Sequence, residues 1–302
     1  MTESFGARLR VAMNEVGPLC AGIDPHPGLL AHWGLDESVV GLETFAMTCV
    51  DAFAGTVAVV KPQSAFFERF GSAGVAVLER TLAGLREAGT LSLLDVKRGD
   101  IGSTMTAYAR AYLSQDSPLR ADAITVSPFL GFESLRPALD LAHATGRGLF
   151  VLALTSNPEG AQVQHAKRGG RSVAGSIVDG VTSQNAADAC EGVLGSVGMV
   201  VGATVGDAVQ KLGLDLARAN APLLAPGVGA QGATADDLAA VFGAALGNVL
   251  ASSSREILGS GPDSATLRAA ARHTAQQLRG ILSTRLYVAP VGDIANGVSS
   301  PM

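Results

Sequence analysis

The stretch Leu91-Ser92-Leu93-Leu94-Asp95-Val96-Lys97-Arg98-Gly99-Asp100 sets an apolar run of strand length directly against a dense group of charges. A short apolar run bounded by polar residues reads as a strand buried on both faces. Side chains alternate along a strand, so Asp95 and Lys97, at i and i+2, share a face and project together, with Asp100 on the loop beyond. Two upstream runs end the same way: Asp24 follows Leu19-Cys20-Ala21-Gly22-Ile23, and Lys61 follows Val57-Ala58-Val59-Val60.

Further runs follow at Ala123 to Val126, Leu149 to Leu154, Met199 to Ala203, Pro222 to Ala225 and Asn248 to Ala251, making eight expected strands. Between them lie stretches with helical spacing, such as Val39, Leu42, Phe45, Ala46, Cys49 and Phe53, or Val75, Leu78, Leu82 and Leu85. Further helices are expected near Thr104, Glu133, Ser176, Val205, Thr234 and Asp263, several of them preceded by capping residues. Eight strand–helix alternations point to a TIM (β/α)8 barrel, although an open doubly wound sheet gives a similar string. One domain is expected over residues 1–285. From residue 286 the chain turns to Gly, Pro, Ser and Asn without helical period, which reads as a loose tail over 286–302.

With 302 residues, 47% hydrophobic and 16% charged, the chain has the composition of a globular protein with a large core. A net charge of −5 argues against nucleic acid or an anionic membrane as partner, since both call for clustered Lys and Arg. Cys20, Cys49 and Cys190 form no C-x-x-C pair and sit among apolar residues, so buried reduced thiols are expected. No apolar leader or membrane-length run is seen, which makes a cytoplasmic protein the expectation. The five histidines, His26, His32, His143, His165 and His273, have no spacing that suggests metal ligation.

In a parallel barrel the C-terminal strand ends carry the active site, and the loops after strands seven and eight commonly bind phosphate. Those loops here are Ala225-Pro226-Gly227-Val228-Gly229-Ala230-Gln231-Gly232 and Ser252-Ser253-Ser254-Arg255. Glycine-flanked N–H groups, the Gln231 amide and the Arg255 guanidinium suit phosphate oxygens, although a glycine run alone is equally a tight turn. Thr155-Ser156-Asn157-Pro158 reads as an ordinary turn unless it joins a site. The basic stretch Gln164-His165-Ala166-Lys167-Arg168-Gly169-Gly170-Arg171 reads as a mobile surface loop, or else as part of a phosphate lid.

Taken in order, Asp24, Lys61, the Asp95-Val96-Lys97-Arg98-Gly99-Asp100-Ile101-Gly102 signature, Ser156, the Pro226 to Gly232 loop and Arg255 resemble the orotidine 5'-phosphate decarboxylase family, in its longer bacterial branch. The resemblance implies decarboxylation of orotidine 5'-phosphate to uridine 5'-phosphate (UMP) in pyrimidine biosynthesis, with neither cofactor nor metal. It implies Lys97 as proton donor, Asp95 near the substrate carboxylate, and Asp24 and Lys61 at the ribose. Ser156 would bond the pyrimidine, while Gln231, Gly232 and Arg255 would hold the phosphate. Asp100, with Ile101 and Thr104, would serve the neighbouring subunit's site in a homodimer. Three rivals remain: a magnesium-dependent sugar-phosphate enzyme such as a hexulose-phosphate synthase, a Schiff-base aldolase using Lys97, and a catalytically inert nucleotide-binding regulator.

Overall fold

Each of the eight apolar runs forms a strand. The computed structural model describes residues 3–228 and 234–286. Its parallel strands are β1 (Leu19–Ile23), β2 (Val59–Pro62), β3 (Leu91–Arg98), β4 (Ala123–Val126), β5 (Gly148–Leu154), β6 (Val197–Val201), β7 (Leu223–Pro226) and β8 (Val249–Ser253). Each pairs with the next, and β8 closes on β1, so the sheet is a complete TIM-type barrel with no open edge. That closure rules out the doubly wound alternative. Among the described residues no helix is long and apolar enough to cross a membrane.

Alternation along the strands divides the apolar residues into two populations. Leu19, Ala21, Ile23, Val60, Leu94, Val96 and Ile124 pack outward with the surrounding helices. Cys20, Val59, Leu93, Ala123, Phe150, Val200, Leu224 and Leu250 belong to a smaller cluster that fills the barrel. That cluster is completed by Phe5, Leu9 and Met13 of a helix, Phe5–Val16, which plugs the N-terminal end. Sequence periodicity did not single out this helix. Ser4 caps it, its Oγ accepting the Ala7 N–H at 3.3 Å, and Phe5 meets Phe150 edge to face with centroids 6.0 Å apart.

Several expected boundaries shift. β2, β3 and β8 run past their apolar stretches, so Lys61, Asp95, Lys97 and Ser252 stand within strands rather than after them. The basic stretch is not a loose loop: Lys167–Arg168 and Arg171–Ser172 form an antiparallel hairpin turned by Gly169 and Gly170, with φ 58° and 84°. Two left-handed residues suit a tight hairpin turn, and glycine adopts them without steric cost. Arg171 anchors the hairpin, donating to the Asp179 carboxylate at 2.9 and 2.7 Å and to the Gly213 carbonyl at 3.0 Å. Cys20 and Cys49 are buried, but Cys190 is exposed at the end of a short helix, Ala186–Cys190. Residue 286, assigned to the tail, is the last residue of the helix Ser264–Leu286, and 287–302 lie outside the described residues.

The plug makes a sharp demand on β5. A Cβ added to Gly148 would stand 2.3 Å from the Phe5 ring. Overpacking of this kind costs about 1–3 kcal/mol, so Gly148→Ala is expected to lower the calorimetric melting temperature by several degrees. An unchanged melting temperature would contradict this packing of the plug.

Candidate active site

At the C-terminal ends of the strands the barrel opens into a cavity of about 390 Å³. Six residues singled out from the sequence line it together: Asp24, Lys61, Asp95, Lys97, Ser156 and Arg255. Leu152, Val200 and Leu224 add an apolar floor continuous with the barrel interior. The charged groups therefore stand on a surface that offers them little solvation except through one another.

They are joined by direct hydrogen bonds. Asp95 is 7% exposed and Lys61 6%. Lys61 Nζ donates to Asp95 Oδ2 at 3.2 Å and to Gln63 Oε1 at 3.2 Å. Lys97 Nζ donates to Asp95 Oδ1 at 2.6 Å, and the Thr125 hydroxyl donates to the same oxygen at 2.7 Å. Burial by itself would raise the Asp95 pKa, but Lys61, Lys97 and these hydrogen bonds outweigh it and bring the carboxyl down to about 2. A carboxyl depressed from 3.8 to about 2 stabilises the fold by on the order of 2 kcal/mol. That contribution is complete above the unfolded value and is lost as the pH falls through the folded one. For Lys61, burial favours the neutral amine, yet Asp24 and Asp95 overcome it and the pKa rises. Beneath this network the Cys20 thiol is pushed up to about 12, first by burial, so it stays a protonated packing residue.

Asp95 and Lys97 meet as expected, but not by regular strand alternation. On β3 the pairing with β4 steps from Leu94↔Ile124 to Arg98↔Val126, four residues against two, which marks a bulge. Lys97 sits in it with φ 45°, a left-handed conformation. For a long side chain this conformation costs about 1–3 kcal/mol and persists only where its surroundings enforce it. The Lys97 N–H is held by Thr125 Oγ1 at 2.9 Å. Arg98 turns outward, donating to Glu68 at 2.6 Å and lying over the Tyr108 ring. Gly99 follows because a Cβ there would come within 2.2 Å of the Ser127 carbonyl oxygen.

The remaining predicted residues fall elsewhere. Asp100, Ile101 and Thr104 do not line this chain's cavity. Asp100 Oδ1 accepts the Ile101 N–H at 2.8 Å, and Ile101 is 62% exposed at the start of the helix Gly102–Leu113. Gly227 and Val228 line the cavity near Arg255, whereas Gln231 and Gly232 lie outside the described residues. Asp24 Oδ1 and Ser253 Oγ are buried without a hydrogen-bond partner among the described residues. Such atoms on a cavity wall suit a polar ligand. Among the described residues no three His, Cys, Asp or Glu side chains are grouped to hold a metal ion.

Gln63 and Thr125 were missed as site residues, and Ser253 was read only as part of the Ser252–Arg255 loop, with no role of its own. Thr125 lies inside the run Ala123-Ile124-Thr125-Val126, where a β-branched residue reads as an ordinary strand former. Only the register, which puts Thr125 on the inward face beside the bulge, gives it away.

The family model described as "Orotidine 5'-phosphate decarboxylase / HUMPS family" matches residues 17–270. A Salinispora arenicola protein named orotidine 5'-phosphate decarboxylase is 62% identical over 93% of this chain and 99% of its own length. One of the same name from Streptomyces coelicolor is 60% identical over 92% of this chain and 98% of its own. A crystal structure of a provisionally named orotidine 5'-phosphate decarboxylase from Streptomyces avermitilis superposes with a TM-score of 0.88 at 57% identity, covering 93% of this chain and 96% of that one. The Leishmania donovani enzyme superposes at 0.72 with 29% identity, over 93% and 99%. On the extent of these matches, the chain belongs to the orotidine 5'-phosphate decarboxylase / HUMPS family.

Proposed function

We propose that this chain converts orotidine 5'-phosphate to UMP and CO2 without a cofactor, Lys97 delivering the proton to C6. The carboxy-lyase reaction is that named for the relatives at 62% and 60% identity. The observation that carries the mechanistic part is the hydrogen-bonded array Lys61–Asp95–Lys97 set against an apolar floor, with Arg255 on the same cavity wall.

When the C6–carboxylate bond breaks, its electron pair stays on C6 and CO2 departs. Nothing in the pyrimidine ring delocalises that pair, so an adjacent cation must offset the charge as it forms. Lys97 Nζ is that cation: one of its N–H protons passes to C6, giving UMP and leaving a neutral amine. Its side chain is 47% exposed in the open cavity, which gives solvent access for reprotonation. Asp95 accepts a hydrogen bond from Lys97 Nζ at 2.6 Å and so holds the donor at its place in the cavity. Asp24 and Lys61 hold the ribose, Ser156 the base, and Arg255 the phosphate together with the glycine loop. Residues 1–285 act on this reading as one catalytic domain, in the cytoplasm.

The site is completed by a second copy of the chain. Ile101 (62% exposed), Phe129 (76%) and Leu130 (53%) are large apolar residues left uncovered. The 2.8 Å hydrogen bond from the Ser127 N–H to the Arg98 carbonyl brings their two loops side by side. A cluster of this kind marks an association surface, and Asp100 and Thr104, unused by this chain's own cavity, flank it.

Three outcomes follow. Turnover, followed by the ultraviolet absorbance of orotidine 5'-phosphate, is expected to proceed undiminished in chelator; strict magnesium dependence would instead favour the sugar-phosphate rival. Lys97→Ala is expected to lower kcat by about a thousandfold or more, with UMP affinity within a few-fold of the parent, and unchanged turnover would remove Lys97 from its role. Lys97→Ala and Asp100→Ala chains, each inactive alone, should recover about a quarter of parental activity when unfolded and refolded together, because half the dimers are mixed and one of their two sites is intact. No recovery, or an active monomer, would contradict the shared site.

A further inference from the structure

We infer that Thr125 is a positioning residue for the decarboxylation, holding the Lys97 ammonium at its place in the cavity through both ends of the lysine. The inference rests on the reading of Lys97 as proton donor and adds a group that reading does not contain.

The geometry is a closed ring of hydrogen bonds. The Lys97 backbone N–H donates to Thr125 Oγ1 at 2.9 Å, Thr125 Oγ1 donates to Asp95 Oδ1 at 2.7 Å, and Lys97 Nζ returns to that same oxygen at 2.6 Å. A hydroxyl has one proton, and Asp95 is an acceptor only, so the directions around the ring are fixed. Both ends of one flexible lysine are thus referred to a single carboxylate oxygen through a single hydroxyl. Thr125 is 1% exposed, so water has little access to take over either bond. Its partner backbone is the left-handed residue at φ 45° in the β3 bulge, the point in the strand least able to hold its own shape.

Two features separate this from ordinary strand packing. Thr125 is inward-facing and lines the cavity, whereas its neighbours Ile124 and Val126 pack outward in the larger core. A valine of the same shape would preserve strand propensity and burial while removing the donor and the acceptor together. The bulge would then carry an unpaired N–H, Asp95 would lose a donor, and the ammonium would be tied down only at its tip. A reacting group displaced by about 1 Å loses roughly a hundredfold in rate, while substrate held by its phosphate and ribose is bound much as before.

The test compares Thr125→Val with Thr125→Ser, rates being normalised to sites counted by UMP titration so that unfolded chains are not read as slow ones. Expected for valine is a fall in kcat of about 10- to 100-fold, with KM for orotidine 5'-phosphate and UMP affinity within about threefold. Serine keeps the hydroxyl and should restore kcat to within about threefold of the parent. If valine does not fold, the serine and alanine variants make the same comparison. Parental kcat without the hydroxyl, a loss confined to KM, or a serine as slow as valine would each overturn the inference while leaving Lys97 in place. Full turnover by Lys97→Ala would instead remove the reading beneath it, and the inference with it.

Discussion

A carboxylate in the mouth of an apolar barrel is unstable unless it is surrounded by donors, and Asp95 imposes that condition on everything near it. Its two oxygens take Lys61 on one side and Lys97 with Thr125 on the other. Removing one partner from such a buried array leaves an uncompensated charge, typically at a cost of about 3–5 kcal/mol. The ammonium groups are in turn tolerable because Asp95 and Asp24 are there: Lys61 is buried and still favours its charged form. The four charges balance, two of each sign, and the group persists as a unit.

The barrel makes that unit possible by separating its two ends. Below, Phe5, Leu9 and Met13 close the interior with side chains that need no polar partner. Above, β2, β3 and β8 continue beyond their apolar stretches, so the inward positions change from Val59, Leu93 and Leu250 to Lys61, Asp95 and Ser252. Each change occurs at the next inward residue of the same strand. The period of two along a strand thus carries apolar filling into charged wall without a change of fold.

That logic is what made much of the protein readable in advance. Eight apolar runs foretell eight strands because burial on both faces leaves little freedom of composition, and the charges beyond them mark the open end. Less legible were features that depend on partners distant in sequence. The hairpin at Lys167 to Ser172 is held by Arg171 reaching Asp179 and Gly213, and no local composition announces those acceptors. The helix Phe5–Val16 is specified by the space that Gly148 leaves for Phe5. Asp95 and Lys97 were placed together correctly by strand alternation, yet what unites them is a bulge and a left-handed residue, which follow from the β3–β4 register and from Thr125.

The two lysines of the array share a side-chain type and an acceptor but differ in exposure, 8% for the Lys61 side chain and 47% for Lys97. Burial settles what each can do. Lys61 also bonds Gln63, and its environment is fixed before any ligand arrives. Lys97 is fixed by its backbone and by Asp95, while part of its head still faces solvent. Filling the cavity strips that water away, and a charge at fixed distance acts more strongly as the surrounding dielectric falls. On the proposed mechanism the field of Lys97 would therefore strengthen when substrate fills the cavity, whereas that of Lys61 is already directed at Asp95 and Asp24. Exchanging their environments would lose this difference even with every residue type retained, so the role proposed for Lys97 depends on the asymmetry of burial more than on the presence of two lysines.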